Sequence, residues 1–220
     1  MRVLVIGLES EFEELNTKLK EHNTLVHAKS HSILYTEQDF DCIFDFLVPE
    51  SPEDFEIYTN LSGLKIFINS VKTTLQELLF FSGKEFKNFL FGFNGLPTFA
   101  NREILEVSIA NESDKELLTD LCSDLGTDFE LVKDRIGMVT PRIIFMIINE
   151  AFYTVQEGTA TKEDIDLGMK LGTNYPFGPF EWCDKIGIAH IYETLEAIYE
   201  DTKEERYKIC PLLKSEYLKT

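Results

Sequence analysis

The sequence has few basic residues and no long hydrophobic run, and both absences narrow the range of functions. Its 220 residues carry 21 Lys and Arg against 39 Asp and Glu, for a formal net charge of −18. Binding to nucleic acid without sequence preference needs clustered Lys and Arg, so the composition argues against DNA, RNA and anionic membrane surfaces as partners. No apolar run approaches the about 18 residues that span a bilayer, and no basic segment precedes a long apolar stretch. We therefore expect neither a membrane span nor a secretory signal.

Cysteine is also scarce, and its spacing argues against a disulfide framework. The four cysteines are far apart and none forms a CxxC pair; they are Cys42, Cys122, Cys183 and Cys210. A chain of this length buries enough apolar surface to fold without disulfides. We therefore expect reduced thiols in a cytoplasmic protein. The spacing of the histidines does not indicate a metal site either.

The apolar segments predict two domains of different architecture. Residues 1–134 alternate short apolar runs with helical periodicity, which is typical of an α/β domain with a mostly parallel sheet. Strands are expected at residues 3–6, 25–28, 32–35, 42–48, 64–68, 89–93 and 104–109. Residues 135–220 show helical periodicity throughout, and Thr140-Pro141 and Thr161 are start signals for helices. The first domain carries a net charge of −14 and the second carries −4.

The second domain contains a series of short motifs in a fixed order. They are Asn149-Glu150-Ala151, Glu157-Gly158, Thr161-Lys162-Glu163-Asp164-Ile165-Asp166, Met169-Lys170-Leu171-Gly172 and Tyr175-Pro176-Phe177-Gly178-Pro179-Phe180-Glu181. Together they resemble the C-terminal domain of the 3-hydroxyacyl-CoA dehydrogenase family. The resemblance implies a Rossmann-like NAD-binding domain followed by an all-α dimerisation domain. It also implies a homodimer and hydride transfer between NAD and the 3-position of an acyl-CoA.

The resemblance assigns the family's catalytic positions to four residues of this chain. In the family, a histidine is the acid/base, a glutamate orients it, and a serine and an asparagine lie near the substrate oxygen. Asn94 stands at the histidine position, Glu106 at the glutamate, Thr73 at the serine and Pro141 at the asparagine. An asparagine has no proton that titrates near neutral pH, so Asn94 cannot act as a general base. The sequence places none of its four histidines to replace it.

The residues expected to hold NAD also depart from the family pattern. A dinucleotide site needs small residues after the first strand, where the backbone approaches the pyrophosphate. The segment keeps Gly7 but has Glu9 and Phe12 at the second and third glycine positions. Lys29 stands where an acid would bind the ribose, a change that would suit the 2′-phosphate of NADP. The helical hairpin that helps to hold CoA in the family is predicted to be missing. Four acids lie near the pyrophosphate position, and they favour a helix that caps its own N-terminus. They are Glu9, Glu11, Glu13 and Glu14.

Three functions remain open from the sequence. The first is the family's oxidoreductase reaction between 3-hydroxyacyl-CoA and 3-oxoacyl-CoA, with NAD in a reorganised site. The second is a catalytically inactive relative, a pseudoenzyme that uses the dimeric scaffold for binding or interaction. The combined losses favour this second function, whereas the family resemblance favours the first, and the first is the function that we predict. The third is a different reaction that uses Glu106 and Asn94, with Glu106 as a base if burial raises its pKa.

Overall fold

The computed structural model describes residues 1–37 and 39–220. The chain divides into two compact units, Met1–Met138 and Val139–Thr220. The boundary that the sequence predicts, at residue 134, falls near the end of the first unit.

The first unit is built on one sheet. Among the described residues its strands are β1 (Arg2–Ile6), β2 (Thr24–Ala28), β3 (Cys42–Asp45), β4 (Lys65–Asn69), β5 (Phe89–Phe93), β6 (Ile104–Ile109) and β7 (Asp128–Leu131). Their order is β2-β1-β3-β4-β5-β6-β7, and every neighbouring pair is parallel except β5 and β6. The predicted Rossmann-like, mostly parallel sheet is confirmed.

Helices cover both faces of this sheet. They are α1 (Glu9–Leu19), α2 (Glu56–Thr59), α3 (Leu75–Ser82) and α4 (Lys115–Leu125). The apolar sides of α1 and α4 join one buried cluster, and those of α2 and α3 join the other. At the centre of the sheet, the Phe44 ring stacks on Phe67 at 4.5 Å and meets Phe93 edge-on at 5.2 Å. Aromatic pairs in such geometries stabilise a core beyond the area they bury.

The strand predicted at residues 32–35 is wrong. The chain forms a 3₁₀ helix at His31–Tyr35. His31 and Leu34 are buried, Ile33 is partly buried, and Ser32 and Tyr35 are exposed, so the fully buried residues are three apart rather than two. The edge strand β7 was not predicted, because its Asp128–Leu131 segment is short and half charged.

The connections of β1 create a topological switch point. The chain leaves β1 through α1 to reach β2 on one side, and returns through the 3₁₀ helix to β3 on the other side of β1. Ligands of open α/β sheets bind outside the carboxyl ends of the strands at such a point. Gly7, which follows β1, and Phe46, which follows β3, therefore mark the place to examine for a ligand.

The second unit consists of helices, as predicted. They are α5 (Thr140–Gln156), α6 (Lys162–Thr173), α7 (Pro179–Ile186), α8 (Ile188–Thr202) and α9 (Pro211–Tyr217). Across the described ranges, no helix has the length and apolar character needed to cross a membrane.

Candidate functional site

The turn between β1 and α1 is closed by a side chain of α1 itself. The Leu8 backbone N–H donates a hydrogen bond to Glu11 Oε2 at 2.7 Å. A Cβ atom placed on Gly7 would lie 2.5 Å from the same oxygen and 3.2 Å from the Cβ of Phe46, which is 2% exposed. In dinucleotide-binding folds this glycine turn is where the backbone approaches the pyrophosphate. Here the Glu11 and Phe46 side chains fill that space.

The electrostatic surroundings of Glu11 also disfavour an anionic ligand. Burial raises the pKa of Glu11, and the hydrogen bond from Leu8 opposes that shift. The negative charges of Glu50, Asp45 and Glu14 raise the Glu11 pKa further. A phosphate group entering this turn would meet the same carboxylates, and like charges at close range repel each other.

The positions of the second and third glycines are filled by a packed cluster. The Phe12 ring stacks on the His27 imidazole, with ring centroids 4.8 Å apart. His27 Nε2 lies 2.9 Å from the Gly7 carbonyl oxygen, and its Nδ1 lies 3.4 Å from Glu9 Oε2. At the end of β2, Lys29 is exposed. In this arrangement the residues of the turn do not fit the pyrophosphate of NAD.

Asn94 and Glu106 lie side by side at the carboxyl edge of the sheet. The Asn94 backbone N–H donates to the Glu106 carbonyl oxygen at 3.2 Å, where β5 ends and β6 begins. Asn94 is 2% exposed and its Oδ1 accepts from the Leu96 N–H at 3.4 Å. Burial lowers the pKa of Arg102, and the charges of Glu106 and Glu14 oppose that shift. Glu106 is therefore a half-buried carboxylate within the field of a guanidinium.

Thr73 belongs to a helix cap. Its hydroxyl donates to Glu77 Oε2 at 3.4 Å, and the Thr74 N–H donates to the same oxygen at 2.8 Å. Thr74 Oγ1 in turn accepts from the Glu77 N–H, which completes a capping box at the start of α3. The hydroxyl at the family's serine position thus bonds within its own element. Pro141, at the family's asparagine position, lies in the first turn of α5.

A buried polar cluster at the switch point was not predicted from the sequence. Asp45, at the end of β3, accepts hydrogen bonds through Oδ2 from Tyr58 at 2.6 Å and pairs through the same oxygen with His31 Nε2 at 2.7 Å. Its Oδ1 accepts from the Leu47 and Val48 N–H groups. His31 Nδ1 lies 3.4 Å from Asp54 Oδ2. His31 precedes Asp45 by 14 residues, and no spacing rule links them; the short crossover from β2 to β3 brings them together.

The stability of the fold should depend on pH through His31. Burial lowers the pKa of His31, but Asp45 and Asp54 outweigh that effect and raise it. The stabilisation is therefore fully present below the pKa of the unfolded state, about 6.5, and is lost as the pH rises through the folded-state pKa. In urea unfolding at a series of pH values, the gap in free energy between wild type and His31→Gln should shrink across this window. Asp54→Asn should show a weaker pH dependence than wild type, and a gap that is constant with pH would contradict this assignment.

No group of acidic, histidine and cysteine side chains suitable for a metal ion occurs within residues 1–37 and 39–220.

The motif residues of the helical unit hold helices in place. Thr161 Oγ1 accepts from the Asp164 N–H at 3.1 Å and caps α6. The Asp166 carboxylate accepts from the Phe180 and Glu181 N–H groups at 2.8 and 3.1 Å and so caps α7. A Cβ atom on Gly178 would lie 2.3 Å from Asp166 Oδ1, which explains the glycine. These motif residues therefore have a structural role, which is to cap α6 and to join α6 to α7.

The comparisons with known proteins agree with these motifs. The family profile described as 3-hydroxyacyl-CoA dehydrogenase, C-terminal domain, matches residues 137–219. The helical unit is therefore similar to the C-terminal domain of that family, and the match lies outside most of the sheet unit. A relative from Escherichia coli K12, 3-hydroxyadipyl-CoA dehydrogenase, is 42% identical over 87 residues, which are 40% of this chain and 18% of that protein. The mitochondrial hydroxyacyl-coenzyme A dehydrogenase of Rattus norvegicus is 35% identical over 130 residues, 59% of this chain and 39% of that one.

Solved structures extend the likeness to the whole fold. The (S)-3-hydroxybutyryl-CoA dehydrogenase PaaH1 from Ralstonia eutropha has a TM-score of 0.73 at 18% identity, over 97% of this chain and 92% of that chain. FadB2 of M. tuberculosis has a TM-score of 0.77 with the same identity and coverage. At this identity the likeness shows the fold alone. The chain spans less than half the length of the sequence relatives named above, so their activities are not transferred to it by similarity.

Proposed function

We propose that this chain is a member of the 3-hydroxyacyl-CoA dehydrogenase family and an oxidoreductase that interconverts 3-hydroxyacyl-CoA and 3-oxoacyl-CoA. The observation that carries the proposal is the match of residues 137–219 to the family's C-terminal domain. Relatives whose names specify dehydrogenation of hydroxyacyl-CoA compounds support it. Two of them match part of the chain in sequence, and PaaH1 shares the fold.

Under this proposal the carboxyl edge near Asn94 and Glu106 handles the substrate oxygen. The Asn94 amide can donate a hydrogen bond to a 3-oxo group, and Glu106 is the nearby group that can exchange a proton, with Thr73 as the third family position. NAD is the hydride carrier expected from the family, and the closed turn at Gly7 is the obstacle to its binding.

The proposal is tested by acetoacetyl-CoA reduction. The full chain is mixed with NADH or NADPH and acetoacetyl-CoA, and loss of reduced nucleotide is followed spectroscopically. Turnover that Glu106→Gln lowers by about 100-fold or more would support the proposal, since general acid–base groups contribute about 10²–10⁴ in rate. The matched control is Glu103→Gln, an exposed acid just before β6. Absence of turnover with either nucleotide would contradict the proposal.

A second candidate function is favoured by the filled turn and by Asn94. A protein with a carboxylate in the pyrophosphate position and an amide at the acid/base position suits a non-catalytic acyl-CoA-binding or interaction role. Calorimetric titration with acetoacetyl-CoA separates the two candidates. Binding without turnover favours this one, and turnover excludes it.

We also propose that the protein forms a homodimer through its helical unit. Large apolar side chains four residues apart are exposed at the start of α5 and on α6: Val139, just before α5, Ile143, Leu167 and Leu171. Exposed apolar patches of this kind mark interaction surfaces.

A cytoplasmic location suits the four cysteines, which are buried thiols. Burial raises the pKa of Cys42, Cys122 and Cys183 to about 12.

A further inference from the structure

We infer that the Glu11 carboxylate is an internal competitor for the pyrophosphate of a dinucleotide at the turn between β1 and α1. In this view the wild-type chain binds NADH weakly, and a variant that lacks this carboxylate binds it more tightly. The inference rests on the proposed function in one respect, which is that a nicotinamide dinucleotide is the ligand in question.

Glu11 occupies a backbone N–H donor at the N-terminus of α1. The N-terminus of a helix offers unpaired N–H groups and the positive end of the helix dipole, and both attract anions. Leu8 lies at this end of α1, and its N–H is taken by Glu11 Oε2 at 2.7 Å. Because the competing anion is part of the same chain, its effective concentration is high, and a free phosphate group has to displace it.

Helix α1 also supplies a second carboxylate to the carboxyl edge of the sheet. Glu14, one turn after Glu11, accepts a hydrogen bond from the Asn101 N–H at 3.3 Å, in the loop that follows Asn94. Burial raises the pKa of Glu14, as it does that of Glu11. Glu13, between them, is exposed. Glu11 and Glu14 are therefore two half-buried acids of α1 that each accept a hydrogen bond from a backbone N–H outside the helix interior.

Removal of the Glu11 side chain should leave the rest of the turn in place. The Glu11 oxygen is the nearest atom to a Cβ on Gly7, at 2.5 Å, and it is the end of a flexible side chain. The Phe46 Cβ comes next, at 3.2 Å. The stacked Phe12 and His27 rings fix α1 against β2 without using the Leu8 N–H. Glu11 is thus the removable part of the obstruction.

The test is a fluorescence titration of the full chain with NADH. Four proteins are compared: wild type, Glu11→Ala, Glu11→Gln and Glu13→Ala. We expect Glu11→Ala to bind NADH at least tenfold more tightly than wild type, because it loses both the competing acceptor and the negative charge. Glu13→Ala removes one charge from the same helix at an exposed site, so its affinity should stay within about twofold of wild type.

Glu11→Gln protects the test against a folding artefact. It keeps an oxygen that can accept from the Leu8 N–H, so the cap survives while the charge is lost, and its NADH affinity should fall between those of wild type and Glu11→Ala. Equal affinities for all four proteins, including undetectable binding by each of them, would overturn the inference. Tighter binding by Glu11→Ala without acetoacetyl-CoA reduction by any of the four would support the inference and remove the proposed oxidoreductase function.

Discussion

Replacement of Asp45 by alanine should lower the free energy of unfolding by about 3–5 kcal/mol, because it leaves a buried charge partner and several buried donors unpaired. Asp45 is fully buried, and its two carboxylate oxygens serve Tyr58, His31 and two backbone N–H groups. Burial raises the pKa of Tyr58, with the Asp45 charge adding to it, so the phenol stays a donor that needs its acceptor. Urea unfolding followed by circular dichroism measures the loss.

Asp41→Ala is the matched control for this change. Asp41 is an exposed carboxylate just before β3, and it accepts from the Arg2 N–H at 2.7 Å. Loss of that exposed contact should cost about 0.5–1.5 kcal/mol. Asp45→Asn should fall between the two, because it keeps an oxygen for the Leu47 and Val48 N–H groups. An Asp45→Ala variant as stable as Asp41→Ala would show that the cluster contributes little to the fold.

This cluster stands where the sequence-based prediction of the fold is wrong. The run at residues 32–35 is too short to distinguish a strand from a helical turn by periodicity. Burial of His31 and Leu34 on one side decides in favour of a 3₁₀ helix. The strands at Phe89–Phe93 and Ile104–Ile109, by contrast, were predicted with the bounds they have. Their apolar runs are long enough for pattern and burial to agree.

Part of the candidate site could also be predicted from the sequence, and part could not. The resemblance aligns Asn94 with the family's histidine and Glu106 with its glutamate, and in the structure a hydrogen bond joins their backbones where β5 meets β6. The sequence also indicated that acids after Gly7 would cap α1, but it did not distinguish Glu11, which enters the turn, from Glu13, which is exposed. That choice depends on where the helix face points. The His31–Asp45 pair depends on the β2-to-β3 crossover, which the strand predicted at residues 32–35 misplaced.

Two departures from the family pattern, the amide at position 94 and the filled turn at Gly7, can be tested together by a double variant. Asn94→His with Glu11→Ala should reduce acetoacetyl-CoA with NADH at least about 100-fold faster than wild type, the lower end of what a positioned acid/base contributes. The histidine would follow β5 with its backbone next to Glu106, the residue at the family's orienting position. Removal of the Glu11 carboxylate would free the Leu8 N–H for the nucleotide.

The single variants make the double variant interpretable. Asn94→His alone should stay within about tenfold of wild type, because a proton-transfer group does not help while the nucleotide site is closed, so the two changes are not additive. Asn94→Gln with Glu11→Ala is the control, since it adds bulk at position 94 without a titratable proton. Fast turnover by Asn94→His alone would mean that the turn at Gly7 already admits NADH. A double variant no faster than the glutamine control would mean that the edge formed by residues 94 and 106 does not carry the family's chemistry, even with the turn open.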